Sequence, residues 1–375
     1  MTVIDDQDLG ERDNEEPDEF PPAERTVYTQ GYDLSISTLK DQWDNETLTI
    51  PEFQREYVWD NAKASRLIES LLLNIPIPIL YFAETQDAKW EVVDGHQRTL
   101  SIVRYMNNEF RLSGLRIQDE FKGLRFFEMP EREQRYLRTR MMRAIVIGAD
   151  SHPTMKFEIF ERLNTGGLAL NAQEIRNAIF SGAFNDLLRE LETYKEFLAC
   201  LGLSRPRKRM VDRELILRFF ALRSDLSKYR TPLVRFLNNY MRANRHPADE
   251  WLQQQGELFR NTVDLMSEVL GSSAFRVTDR QGVPRERNIN KALFDAQTLA
   301  FSVANLSDVQ ANSKRVVREL GALFDNENFD DAIRLSTGDR VKTLTRLRHV
   351  LEFRSSLAGG GPGCLHLEDF CLGGG

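Results

Sequence analysis

The hydrophobic period changes once along this chain of 375 residues, near residue 150, and that change limits the fold more than any other feature. Before it, short apolar runs alternate with helical stretches; after it, apolar residues recur at helical spacing almost without a break. In the first part, residues 47–53 read as extended, with Pro51 marking the end of a short strand. Residues 61–74 read as a helix, with Leu67, Ile68, Leu71 and Leu72 on one face and Asn61 as N-cap. The Ile-Pro-Ile-Pro run at 75–78 stops it. Residues 79–83 and 90–93 form a hairpin across the polar turn 85–89, a helix covers 97–107, and 142–148 is a further strand. Beyond the change, helices are predicted over 153–164, 171–182, 184–200, 212–225, 230–243, 248–270, 290–304, 312–323 and 338–354, with a polar loop at 272–288. The chain is too long for one ordinary core. The predicted fold class is α+β, with a small mixed α/β domain over 27–150 followed by a helical domain over 151–355.

The ends differ from the body. Residues 1–25 hold ten acidic and two basic groups and few large apolar side chains, so 1–26 is predicted as a disordered acidic leader. Residues 356–375 form a glycine-rich tail without a period, also predicted as disordered. The formal net charge of -7 thus resides in the leader, and the remainder is near neutral. Whole-chain acidity is therefore no argument against a nucleic-acid partner. Within the body, residues 205–245 carry twelve basic groups against three acidic ones, and arginine supplies 39 of the 50 basic residues overall. The Arg205–Arg245 segment is either a solvated helical face or a nucleic-acid contact. No apolar run is long enough to span a membrane. Three cysteines fit a reducing compartment, and a cytoplasmic location is expected. Cys364, His366 and Cys371 lack a fourth ligand at a zinc spacing, so no metal ligands are assigned.

Three polar clusters carry the candidate chemistry. In the sharpest, a predicted strand ends on Asp94-Gly95 and a helix follows through His96, Gln97 and Arg98. A glycine there lets the backbone approach a ligand closely, and the helix start offers amide N–H groups and the positive end of its dipole to an anion. Arg98 can add a bidentate charge-assisted pair. The plain alternative is a helix-start turn with Asp94 capping and Arg98 solvated. No P-loop and no Gly-x-Gly-x-x-Gly pattern is present. A second cluster, Gln54-Arg55 with Phe53, Tyr57 and Trp59, fits base stacking and phosphate contact, or an apolar anchor for the next helix. In the third, Gly166-Gly167 reads as a helix stop and Asn171 as an N-cap. That leaves Arg162 and Asn164, and Glu174, Arg176 and Asn177 after the turn, as part of a site wall.

In this order, Ile50-Pro51 through Gln54-Arg55 to Val58-Trp59, then Asp94-Gly95-His96-Gln97-Arg98, then Arg162-Leu163-Asn164 to Glu174-Ile175-Arg176-Asn177, the chain resembles the N-terminal domain of GmrSD-type modification-dependent restriction systems. The resemblance implies a ParB/sulfiredoxin-like core that binds and hydrolyses a nucleoside triphosphate with Mg²⁺. Asp94, Gln97 and Arg98 would be its catalytic residues, with Gln54, Arg55, Trp59, Gly95, His96, Arg162 and Asn164 binding the nucleotide. It further implies a defence role: sensing foreign, modified DNA together with a nuclease of the His-Asn-His type. His96 departs from the family pattern, which has Gln there. No His-Asn-His motif follows residue 180, so the nuclease is expected to be a separate polypeptide. A homo-oligomer is compatible with this picture. Two other readings compete: a ParB-like nuclease acting directly on DNA, and a non-enzymatic module that holds DNA or a partner nuclease.

Overall fold

The computed structural model describes residues 24–51, 57–163, 170–335 and 338–357. The leader up to residue 23, the glycine-rich tail from 358, Gln54, Arg55, Asn164 and Gly166-Gly167 lie outside the described residues. The chain divides into two compact units, one from Phe20 to Ile179 and one from Phe180 onward.

The first unit is built on a five-stranded mixed sheet of order β1-β5-β3-β4-β2. Its elements are β1 (Thr29–Ser35), α1 (Ile36–Asp44), β2 (Leu48–Thr49), α2 (Asn61–Leu72), β3 (Leu80–Glu84), β4 (Trp90–Asp94), α3 (His96–Met106), α4 (Glu131–Thr139), β5 (Met141–Ile147), α5 (Pro153–Leu163) and α6 (Ala172–Ile179). The β3–β4 hairpin is antiparallel; β3 pairs parallel with β5, and β2 parallel with β4. Both faces of the sheet are covered. Leu80, Phe82, Val92, Ala144 and Val146 point into a core shared with Leu39 of α1, Ile68 of α2 and Ile102 of α3. Ala83, Val93 and Ile147 point the other way, against Phe157 and Phe160 of α5 and Ile175 of α6. Coverage on both sides explains why β3 and β5 read as nearly unbroken apolar runs.

The expected domain boundary at 150 differs from the division at Ile179 because α5 and α6 bury their apolar faces on this sheet. Helical periodicity reveals an element's type but not what it packs against. Three elements of this unit escaped the pattern. The edge strand β1 has the polar sequence TQGYDLS, and α1 and α4 are only nine residues each. The N-cap of α2 is Asp60 rather than Asn61, with its carboxylate accepting from the Lys63 N–H at 2.7 Å. The 112–124 loop is tied down by Glu69 of α2, whose carboxylate accepts from the N–H groups of Arg116, Ile117 and Gln118 at 2.8–3.2 Å.

The second unit is helical: α7 (Ala183–Leu191), α8 (Lys195–Leu201), α9 (Val211–Asp225), α10 (Leu233–Ala243), α11 (Asp249–Val269), α12 (Lys291–Ser302), α13 (Leu306–Ala311), α14 (Ser313–Leu323), α15 (Glu327–Arg334) and α16 (Arg340–Leu357). The helix predicted over 184–200 is two helices. The short α13 and α15 had no expected counterpart, and the loop within 272–288 closes as a small hairpin through Thr278 and Pro284. Edge-on phenylalanine pairs, Phe184 with Phe220 and Phe259 with both Phe197 and Phe219, fill the centre at 5.4–5.7 Å between rings.

The arginine-rich stretch within this unit is partly internal. Arg207 pairs with Asp212 at 2.6 Å, and Arg213 pairs with Glu192. Arg218 donates to both oxygens of Asp295, at 3.0 and 2.6 Å, and Arg346 donates to the same carboxylate at 3.0 Å. Arg218, Asp295 and Arg346 are all almost completely buried, so one carboxylate joins α9, α12 and α16. Asp295→Asn would leave two buried guanidinium groups without their countercharge. The expected loss is about 3–5 kcal/mol of unfolding free energy, read as a lower denaturant midpoint. An unchanged midpoint would show that this pairing does not hold the unit together.

Candidate functional site

The Asp-Gly turn stands where the sequence placed it. β4 ends at Asp94, Gly95 takes left-handed angles (φ 101°, ψ 9°), and α3 begins at His96. Any side chain at Gly95 would be strained, and a Cβ there would lie 2.3 Å from Leu80 Cδ2. Glycine is therefore needed both for the backbone angle and for the close passage over the core. As N-cap it offers no side chain to the first amides of α3. A helix start of this kind presents backbone amides and the positive end of the helix dipole, the elements that suit an anion.

The flanking charges are arranged differently from the expectation. Asp94 does not cap the helix; its carboxylate accepts from Arg98 Nη2 at 2.6 Å. Arg98 also donates to the carbonyls of Ile79, at 3.2 Å, and Pro78. Its side chain is only 12% exposed, so the solvated alternative does not hold. The guanidinium ties the first turn of α3 to the entry of β3. A bidentate contact with a bound anion would require Arg98 to release some of these acceptors.

Gln97 is a clamp. Its Oε1 accepts from the N–H groups of Val58 and Trp59 at 3.0 and 3.2 Å. The Tyr57 hydroxyl lies 2.9 Å from Ser101 Oγ, which donates to the Gln97 carbonyl at 2.7 Å. Arg104 lies over the Tyr57 ring at 4.4 Å, and Lys63 over the Trp59 ring at 4.7 Å. The first and second sequence clusters thus meet: residues 57–59, just after the segment bearing Gln54 and Arg55, are pinned to the start of α3. Tyr57, Ser101 and Arg104 are contributors that the sequence reading passed over. The available signal was spacing, since Gln97, Ser101 and Arg104 recur on one face of a helix.

The third cluster approaches by the other sheet face, where α5 and α6 pack on Val93, next to Asp94. Arg162 lies in the last turn of α5, 77% exposed and bonded to Glu158 at 3.0 Å. Asn171 and Glu174 form a reciprocal capping box: the Glu174 N–H donates to Asn171 Oδ1 at 2.9 Å, and the Asn171 N–H to Glu174 Oε2 at 2.8 Å. Arg176 is buried and donates to Gln173 Oε1 at 3.0 Å, so it supports the interior of α6. Glu161, beside Arg162, is an unpredicted titratable group; burial, with Glu158 adding to it, pushes its carboxyl above the usual range. Burial likewise pushes Glu91 of β4 up, against the opposing charge of Lys156. His96 is shifted down by burial, which favours a neutral ring near pH 7.

Among the described residues, no group of three or more His, Cys, Asp or Glu side chains is placed to hold a metal ion. A Mg²⁺ carried by a triphosphate needs only one or two protein carboxylates, and Asp94 is the carboxylate at this turn. No described helix is long and apolar enough to cross a membrane.

Residues 36–181 match the family model described as GmrSD restriction endonuclease, N-terminal domain. The match runs from the first residue of α1 to two residues beyond the Ile179 division. It therefore spans the sheet from β2 onward and all three clusters. No curated protein matches the chain.

If Gln97 holds the 57–59 segment, Gln97→Ala leaves two amides without their acceptor. Hydrogen exchange at Val58 and Trp59 should accelerate while the core amides of α3 stay protected. Unchanged protection at both would mean that the segment is held by other contacts.

Proposed function

We propose that this chain, whose residues 36–181 match the GmrSD restriction endonuclease N-terminal domain, is a component of a modification-dependent restriction system, binding and hydrolysing a nucleoside triphosphate as its sensor subunit and working with a separate His-Asn-His nuclease. The observation that carries this reading is the glycine-capped start of α3, where the N-cap residue itself has no side chain, with Arg98 in the first turn. The amides would take the phosphate oxygens. Arg98, drawn from Asp94, would neutralise charge that develops on the transferring phosphoryl group. Asp94, freed in the same exchange, is the carboxylate available to the Mg²⁺ of the nucleotide; the ion would supply further charge neutralisation. Gln97 would keep residues 57–59 in place, so that Trp59, Gln54 and Arg55 approach from that side. Arg162 and Asn164 would contribute from the end of α5. Control by modified DNA completes the reading.

Arg98→Ala should lower phosphate release from the preferred triphosphate by about 10²-fold or more. Full activity in a normally folded variant would overturn the hydrolytic role. Binding heat without phosphate release in the unaltered protein would instead favour a non-enzymatic module.

His96 gives a pH test. Burial lowers its folded-state pKa from the ordinary histidine value, so the neutral ring persists further into acid than that of an exposed histidine. A phosphate beside it would raise that pKa. Nucleotide binding at slightly acid pH should then take up a proton, seen as a binding heat that changes with the buffer's ionisation enthalpy. His96→Gln should abolish the buffer dependence while retaining binding. Persistence of the dependence in that variant would remove His96 from the phosphate site.

A further inference from the structure

We propose that the surface of α4 and the short helical turn before it, Phe126–Glu128, binds a nucleic-acid strand with unpaired bases. Residue 137 is the only position of α4 that is fully buried, while Arg132, Arg135, Tyr136 and Arg138 are exposed. At 3.6 residues per turn, Arg138, Arg135, Arg132 and Tyr136 follow one another around the exposed arc. Lys122, Arg125 and Phe127 are exposed beside it in sequence. Phe127 is 65% and Tyr136 49% exposed, which is unusual for rings of this size.

Both rings are held in place. The Phe127 N–H donates to Asn108 Oδ1 at 2.9 Å, and its carbonyl accepts from Gln134 of α4 at 3.4 Å. Its ring leans on Phe126 at 5.4 Å, and Arg138 lies over Phe126 at 5.1 Å. Tyr136 is backed by Arg140 at 4.6 Å, itself fixed by the Leu71 carbonyl at 2.8 Å and Asn74 Oδ1 at 2.6 Å.

The charge of the surface is not spent internally. Lys122, Arg132, Arg135 and Arg138 form no ion pair with another described residue. The nearby Glu128 is taken up by Arg111, at 2.7 and 3.0 Å. Glu131 and Glu133 lie in the first turn of α4, where they interact favourably with the positive end of the helix dipole. Unspent cations interleaved with rigid, exposed rings match a strand that offers phosphates and base faces together. Duplex DNA offers its phosphates but keeps its bases stacked, and an acidic peptide offers no base face. The assignment does not depend on nucleotide hydrolysis at the Gly95 turn.

Fluorescence anisotropy of the full chain tests it, using a labelled thymidine oligonucleotide of about 20 nucleotides, a duplex of equal length and a polyglutamate peptide. The single strand should bind more tightly than the duplex or the peptide. Arg132→Gln with Arg135→Gln should weaken it about tenfold and reduce the slope of log affinity against log salt by about 1.4, two phosphate contacts' worth. Phe127→Ala with Tyr136→Ala should weaken it with the slope unchanged, and Tyr136→Phe should retain binding. Melting temperatures and phosphate release of these variants should match the unaltered protein, separating this surface from the nucleotide site. Equal or tighter binding of duplex or peptide, no binding of the single strand, or unaltered affinity in stably folded variants would each overturn the assignment.

Discussion

The close passage of Gly95 over Leu80 joins the candidate site to the core. Leu80 is buried at the start of β3, and the chain leaving β4 can cross it only where a residue lacks a side chain. That crossing sets the direction of α3, and with it the positions of Gln97, Arg98 and Ser101. The Asp94–Arg98 pair and the Arg98 contacts to the Pro78 and Ile79 carbonyls fasten the same corner from outside. This packing fixes the backbone of the turn and the first turn of α3, while the Arg98 side chain is held by acceptors within the protein.

Much of this corner was legible in the residues themselves. A strand ending on Asp-Gly before a helical pattern marked the turn, and Asn171 as N-cap marked the start of α6; that Glu174 closes the cap reciprocally, rather than walling a site, came from the structure. The partner of Arg98 was not legible. An arginine in a first helical turn reads as solvated or ligand-facing, and only the fold brings the end of β4 and the Pro78–Ile79 carbonyls round it. The boundary near 150 moved for a related reason: the apolar face of α5 is as suited to a helical bundle as to the sheet it covers. The edge strand β1 escaped because one side of it faces no partner strand and its sequence keeps no alternation.

Arginine serves two ends here. In the second unit, Arg213 and Arg218 disappear into pairs with Glu192 and Asp295, so part of a run that looks like a cationic stripe is mortar between helices, while Arg205, Lys208, Arg209, Lys228 and Arg230 of the same run stay exposed. In the first unit, the shorter and less conspicuous cluster on α4 keeps its charge outward.

The neutralisation of Arg98 by Asp94 also bears on selectivity. An anion reaching this turn competes with a carboxylate already in place at 2.6 Å. A singly charged ion that brings no cation of its own gains little by displacing it. A polyphosphate with its own divalent ion can supply Arg98 with oxygens and Asp94 with a positive partner in the same event. The resting pair would therefore act as a threshold, setting the corner's preference among anions by how many charges arrive together.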